Sequence, residues 1–193
     1  MKTVIALLCV LFAVVANAHA GAIVIVSQHE VTAEGVRTIS GSGAIIRVKG
    51  KTCVLSCGHG WRESSLLTVD GKLQGRIVRI DKKLDLSLIE VDCGDDCEAY
   101  SLAEDEPPIG AVVWSGGFVQ SKPRGHWRKV REYNLDHLKL DLPHEHGQSG
   151  GPVIFEGRIV GVVQGAYVCN GATCARGATI RLREVRRFIE GVK

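Results

Sequence analysis

The chain has 193 residues, 45% of them hydrophobic and 23% charged. These fractions lie near globular averages and exclude a disordered tail, a collagen-like fibre and a coiled coil; the length suits one compact domain or two small packed halves. A formal net charge of +3, with no long basic run and no interleaved aromatics, argues against nucleic-acid binding.

The first element in chain order is a leader. Lys2 supplies a positive start, Thr3 to Val15 is almost purely apolar, and Ala16-Asn17-Ala18-His19-Ala20 ends in a small-x-small pattern. This arrangement predicts a secretory signal peptide at 1–20, cut after Ala20. The apolar stretch of about 13 residues is shorter than the ~20 that cross a bilayer. The mature chain, starting at Gly21, is expected to be secreted or periplasmic and free of the membrane.

Short β-rich runs follow: Ala22–Val26, Gly43–Val48, Cys53–Ser56, Leu66–Val69, Arg76–Ile80 and Leu84–Val91. Glu104-Asp105-Glu106-Pro107-Pro108 then breaks the pattern, because consecutive prolines continue neither strand nor helix. Strands resume at Ala111–Trp114, Lys129–Tyr133, Leu138–Leu142, Val153–Phe155, Arg158–Val163 and Ala178–Arg181. Two sets of about six strands with glycine turns predict an all-β sandwich or barrel architecture. Near the C-terminus, Leu182, Val185, Phe188 and Ile189 fall on one face of a short helix.

Of seven cysteines, Cys9 lies in the leader and six remain as local pairs. Cys93/Cys97 and Cys169/Cys174 enclose glycine-containing turns, so each pair could close a small disulfide loop. Cys53 and Cys57 flank a strand-like run whose extension would set their Cα atoms ~13 Å apart. A disulfide requires less than ~7 Å, so these two are read as buried thiols. The spacings differ from the C-x₂-C pairs of zinc sites, and no metal is assigned.

Three motifs carry chemistry. In Gly147-Gln148-Ser149-Gly150-Gly151-Pro152 a serine sits in a glycine turn ahead of a strand; amide N–H groups in such a turn can converge on one oxygen. In Cys53-Val54-Leu55-Ser56-Cys57-Gly58-His59-Gly60 an apolar strand runs into a turn bearing a histidine. In Asp85-Leu86-Ser87-Leu88-Ile89-Glu90-Val91 an aspartate leads a strand. Each alone has an ordinary structural reading, as a β-turn, a surface histidine or a turn aspartate; together they weaken those readings. His144-Glu145-His146 places two histidines at i and i+2, a spacing open to metal or to a minor part in binding an acidic substrate, but a solvated loop is expected there.

The order His59, Asp85, Ser149, each in its motif, resembles the chymotrypsin-like serine peptidases. The short loops and Gly41-Ser42-Gly43 look most like bacterial Deg-type (high-temperature-requirement) protease domains, here without a PDZ domain. The resemblance covers Gly21 to about Ile189. It implies two packed six-stranded antiparallel β-barrels and a short C-terminal helix. The first barrel would span 21–103 with His59 and Asp85, a linker 104–110, the second barrel 111–181 with Ser149, and the helix and tail 182–193.

The resemblance also implies roles. Ser149 attacks the scissile carbonyl, His59 is general base and then acid, and Asp85 orients the imidazole. The Gly147 and Ser149 N–H groups form the oxyanion hole, and no cofactor is needed. Protein or peptide substrates follow. Gln148 stands where zymogen-type members carry the aspartate that captures a new N-terminus, so activation by trimming is not expected. Pro143 replaces the aspartate of trypsin-like members; Gln164, Gly165 and Ala166, with Gly177 behind, would line a small-to-medium, uncharged pocket. Two other readings compete: a catalytically silent protease homologue serving as a binding module, which the intact triad disfavours, and an esterase, whose strand-to-helix elbow is not matched.

Overall fold

The computed structural model describes residues 21–62, 66–94, 97–169 and 172–192, with 167–169 and 172–175 described by backbone alone. The proposed leader and the paired side chains of Cys169 and Cys174 lie outside the described residues. Twelve strands form two closed barrels. The first contains β1 (Ile23–Thr32), β2 (Gly35–Val48), β3 (Lys51–Cys57), β4 (Leu66–Val69), β5 (Leu73–Asp81) and β6 (Leu86–Val91), in the order β1-β2-β3-β6-β5-β4. The second contains β7 (Val112–Val119), β8 (Lys122–Tyr133), β9 (His137–Leu140), β10 (Pro152–Phe155), β11 (Arg158–Cys169) and β12 (Ala172–Arg181), in the order β10-β11-β12-β9-β8-β7. Read from β7, this is the same strand order repeated. All named strand pairs are antiparallel.

All twelve runs expected from composition are strands, but several extend into polar sequence. β1 and β2 continue as a ribbon to Thr32 and Gly35, where Val31 and Val36 face solvent. β7 and β8 likewise pair out to Val119 and Lys122. A ladder needs only backbone N–H and C=O groups, so hairpin arms beyond a core lack the apolar alternation that marks buried strands.

One apolar core joins the first barrel to outward faces of the second: Val54, Leu55, Leu86 and Leu88 cluster with Ile154, Ile159, Val162 and Ile180. A smaller core fills the second barrel with Val113, Val130, Leu138, Leu140, Val153 and Val163. Helix α1 (Leu182–Glu190) contributes to both, Val185 and Phe188 to the first and Leu182 to the second. Arg79 stacks on the Phe188 ring at 4.9 Å. The acidic linker is tied to the second barrel: Glu106 forms a two-point pair with Arg181, and Glu104 reaches Arg158 at 3.4 Å. Burial alone would push the Glu106 carboxyl up, but these Arg181 bonds outweigh it and hold it below its usual range.

Cys93 and Cys97 are bridged, with Cα atoms 6.1 Å apart. Cys53 and Cys57 are buried free thiols on β3. Among the described residues no helix is long and apolar enough to cross a membrane.

Candidate active site at the barrel junction

β3 delivers His59 just past its last residue, and Asp85 precedes β6, the neighbour of β3. Asp85 adopts φ +58°, a left-handed conformation that asparagine and aspartate tolerate better than most side chains. Its Oδ1 accepts the backbone N–H of Gly58 at 3.0 Å and of His59 at 2.6 Å. His59 Nδ1 lies 3.0 Å from Oδ1 and 2.8 Å from Oδ2. One carboxylate therefore fixes both the turn and the ring. With Nδ1–H donating to Asp85, the neutral imidazole presents Nε2 as an acceptor. Lys82 clamps the same turn through the carbonyls of Gly58 and Trp61, the latter at 2.8 Å.

These contacts shift both groups. The hydrogen bond to Asp85, with a smaller contribution from Cys57, raises the His59 pKa well above 6.5. Burial pushes the Asp85 carboxyl up, but hydrogen bonds from His59 and the Gln164 side chain outweigh it and hold the carboxyl below its usual range.

The serine turn is held from the other barrel. Ser42 on β2 donates its N–H to the Ser149 carbonyl at 2.9 Å and its Oγ–H to the Gly147 carbonyl at 2.6 Å. The same Oγ accepts the Phe118 N–H at 2.7 Å. This explains the glycines. Gly147 has φ +94°, and a Cβ there would lie 2.4 Å from the Phe118 carbonyl oxygen. Gly150 has φ +87°, and a Cβ would lie 2.1 Å from the Ser42 carbonyl oxygen. The Gln148 N–H bonds the Glu145 carbonyl at 3.1 Å, whereas those of Gly147 and Ser149 donate to no group among the described residues.

The Ser149 hydroxyl donates to the Gln164 carbonyl at 2.9 Å and makes no hydrogen bond to His59. Gln164 thus meets Ser149 by its backbone, and its side chain is near enough to Asp85 to lower the carboxyl. An ionised carboxylate only accepts, so it is the amide N–H side of Gln164 that favours the Asp85 charge, which leaves Oε1 for another donor. That oxygen receives His137 Nε2 at 2.8 Å. The sequence contains no signal for His137, because the contact crosses from β9 to β11.

Gln148 is fully buried. Its amide donates to the Arg124 carbonyl at 3.1 Å and accepts the Glu145 N–H at 2.9 Å. Residues Gly21 and Ala22 instead lead into β1, with Ala22 accepting the Ile45 N–H at 2.8 Å. Of the proposed pocket residues, Ala166 pairs with Gly177, while Gln164 and Gly165 precede Ala166 on β11 and Pro143 lies on the loop before the serine turn.

One expectation is corrected there. His144 is not in a solvated loop; it is buried at 8% exposure, and a Cβ on Gly177 would come within 2.6 Å of its Nε2. Glu145 and His146 are exposed, as a loop requires. Burial, then the charge of Arg128, pushes His144 down to about 3, so it is neutral. Beside the His59 turn a cleft of about 820 Å³ is lined by Arg37, Ile39, Trp61, Arg62, Ile80 and Lys82.

No protein-family model matches the chain, and no curated protein does. Among solved structures it is similar to the Rv3671c protease from M. tuberculosis in its active form. The TM-score is 0.77 at 20% identity, covering 92% of this chain and 83% of that one. The likeness shows a chymotrypsin-like fold.

Proposed function

We propose that the chain is a serine endopeptidase cleaving protein or peptide substrates through His59, Asp85 and Ser149. The observation that carries this reading is the Asp85 carboxylate, which holds both the His59 backbone N–H and its Nδ1, while Gln164, whose side chain acts on that carboxylate, receives the Ser149 hydroxyl. Two unused N–H groups on the serine turn support an oxyanion hole at Gly147 and Ser149. Catalysis requires the Ser149 hydroxyl to exchange the Gln164 carbonyl for His59; such hydrogen bonds often tighten only with substrate bound.

Attack by Ser149 Oγ on the scissile carbonyl carbon passes the hydroxyl proton to His59 Nε2. The carbonyl oxygen becomes an oxyanion received by the two N–H groups, where one donor is worth ~3 kcal/mol in the transition state. The C–N bond then breaks as the imidazolium protonates the leaving amine, and an acyl-serine remains. Water, deprotonated by the same nitrogen, opens the ester; the proton returns to Ser149 and the carboxylic product leaves. The cleft beside His59 offers room for the leaving side of the substrate.

The N-terminal leader supports action outside the cytosol, secreted or periplasmic. Gln148 supports activity without zymogen cleavage: its neutral amide is already satisfied by two backbone groups. A buried ammonium placed beside it would be unpaired, at a cost of several kcal/mol.

A second reading, a silent homologue that binds peptides, draws on the Ser149 hydroxyl being turned to Gln164. A fluorophosphonate probe separates the two. Labelling at Ser149 that is suppressed in His59→Ala is expected; equal labelling of both proteins, or none, sinks the catalytic reading.

A further inference from the structure

We propose that Arg128 and His144 form the recognition site for a carboxylate, so that this peptidase cleaves after Glu or Asp. The inference rests on the serine-peptidase reading and names its substrate class.

Arg128 lies on β8, pointing into the second barrel at 2% exposure. Its Nε donates to Ser115 Oγ at 2.6 Å, and its remaining guanidinium nitrogens bond no protein atom among the described residues. Among the described residues no carboxylate forms an ion pair with it. Asp141 and Glu145 are near enough to be felt, but each is engaged elsewhere. Asp141 takes the Lys129 N–H at 2.8 Å and lies 3.6 Å from Arg131, and Glu145 faces His126 at 3.4 Å. A buried cation without a counter-charge is costly, and barrels do not keep one without a reason.

His144 adds a second unused group. Its Nδ1 is buried without a partner, and its Nε2 reaches only Thr179 Oγ1 at 3.4 Å. Arg128 is close enough to depress its protonation.

Position turns these leftovers into a site. His144 lies five residues before Ser149 and packs against Gly177, whose strand partner is Ala166. Ala166 is two residues past Gln164, which receives the Ser149 hydroxyl. The wall beside Ser149 is thus made of small residues; a Cβ on Gly165 would meet nothing within 4 Å. Against Gly177 in that wall lies the His144 imidazole, and the Arg128 charge is near enough to act on it. A carboxylate is the side chain that accepts hydrogen bonds from both and supplies the missing negative charge. Gln or Leu at the same place would leave the guanidinium unpaired, and Lys or Arg would be repelled.

The test uses tetrapeptide substrates identical except for Glu, Gln, Leu or Lys on the acyl side of the cleaved bond. The Glu peptide should exceed the Gln peptide by ~100-fold in kcat/KM, because rejecting an isostere leaves buried donors empty. Arg128→Met should collapse that ratio to ~5-fold or less, and Arg128→Lys should restore part of it. Equal or faster cleavage of the Leu or Lys peptide by wild type overturns the assignment, as does a Glu preference that survives Arg128→Met. Should Arg128→Met not fold, the wild-type ratios and Arg128→Lys decide. If no peptide is cut and Ser149 does not label, the peptidase reading has failed. Calorimetry with peptides ending in Glu or Gln then tests the site itself, and equal binding overturns it.

Discussion

The two barrels share one strand order but treat their buried polar groups differently. In the first, Ser42, Ser56 and Ser87 are fully buried, and each hydroxyl holds a backbone atom. Ser56 bonds the Ser42 carbonyl and Ser87 the Cys57 carbonyl, both at 2.7 Å. In the second, Arg128 and His144 are buried too, at 2% and 8% exposure, yet leave donors or acceptors unused. The serine bonds brace the first barrel as the mount for His59 and Asp85, although Trp61 Nε1 and one Arg79 guanidinium nitrogen in that half are also buried without a partner. The second barrel keeps unsatisfied groups near the serine turn. Buried polar groups left open in a folded core signal a ligand more readily than satisfied ones do.

The largest effect expected on this contrast comes from the groups at the junction. Ser149→Ala and His59→Ala should each lower kcat/KM by ~10⁴-fold or more, about 5.5 kcal/mol of transition-state stabilisation, with unchanged circular dichroism. A loss below 100-fold in either would remove that residue from the mechanism.

Core deletion in the first barrel comes next. Leu55 is wholly buried on β3 opposite Leu88, and Leu55→Ala should cost about 2–5 kcal/mol in urea unfolding. A cost under 1 kcal/mol would show that this mount is looser than its packing indicates.

The second barrel should respond in the opposite sense. Arg128→Met replaces an unpaired buried charge with an apolar chain, and such exchanges are often neutral or stabilising by about 1–4 kcal/mol. The variant should melt at or above the wild-type temperature while losing acidic selectivity. A clear drop in Tm would mean that Arg128 is structural.

The pH profile probes the first barrel's contribution to chemistry. The base must be neutral, and the Asp85 bond raises the His59 pKa, so imidazolium persists above 6.5. kcat/KM should therefore rise with pH through a midpoint above 6.5, and Asp85→Asn should shift that midpoint to lower pH. A wild-type midpoint below 6.5 contradicts the geometry.

The smallest effect concerns the contact from His137 to Gln164. His137→Ala should lower kcat by ~10-fold with little change in KM, since it orients Gln164 without touching substrate. His137→Asn, which can still donate, should recover part of the loss. An equal change in KM would assign His137 to binding instead.

Much of this was readable before any coordinates. Strand runs with period-two or fully apolar character, the proline break and the helix face are local properties. They announced twelve strands, a linker and α1, and the resemblance of three motifs announced the double barrel. The polar ribbon arms at Gln28–Thr32 and Gly35–Ser40 were missed because backbone pairing there needs no apolar side chain. The site was legible where a motif is short and contiguous, as at His59, Asp85 and the Ser149 turn. It was illegible where contacts join distant strands. His144 read as a loop residue because its neighbours are polar, and nothing local says that Gly177, 33 positions away, closes over it.

The sequence by itself determined the class of fold, because the periodicity that buries one face of a strand is written in consecutive residues. Its glycine turns and short motifs also set which side chains stand at the ends of β3 and β6 and in the serine loop. Only the tertiary structure decided what those side chains meet. Barrel closure placed Ser42 under the Gly147 carbonyl, Gln164 between Ser149 and Asp85, and a buried Arg128 near His144 without an ion-pair partner among the described residues. Burial and pairing depend on residues brought together across the two sheets, and a linear pattern does not carry those distances.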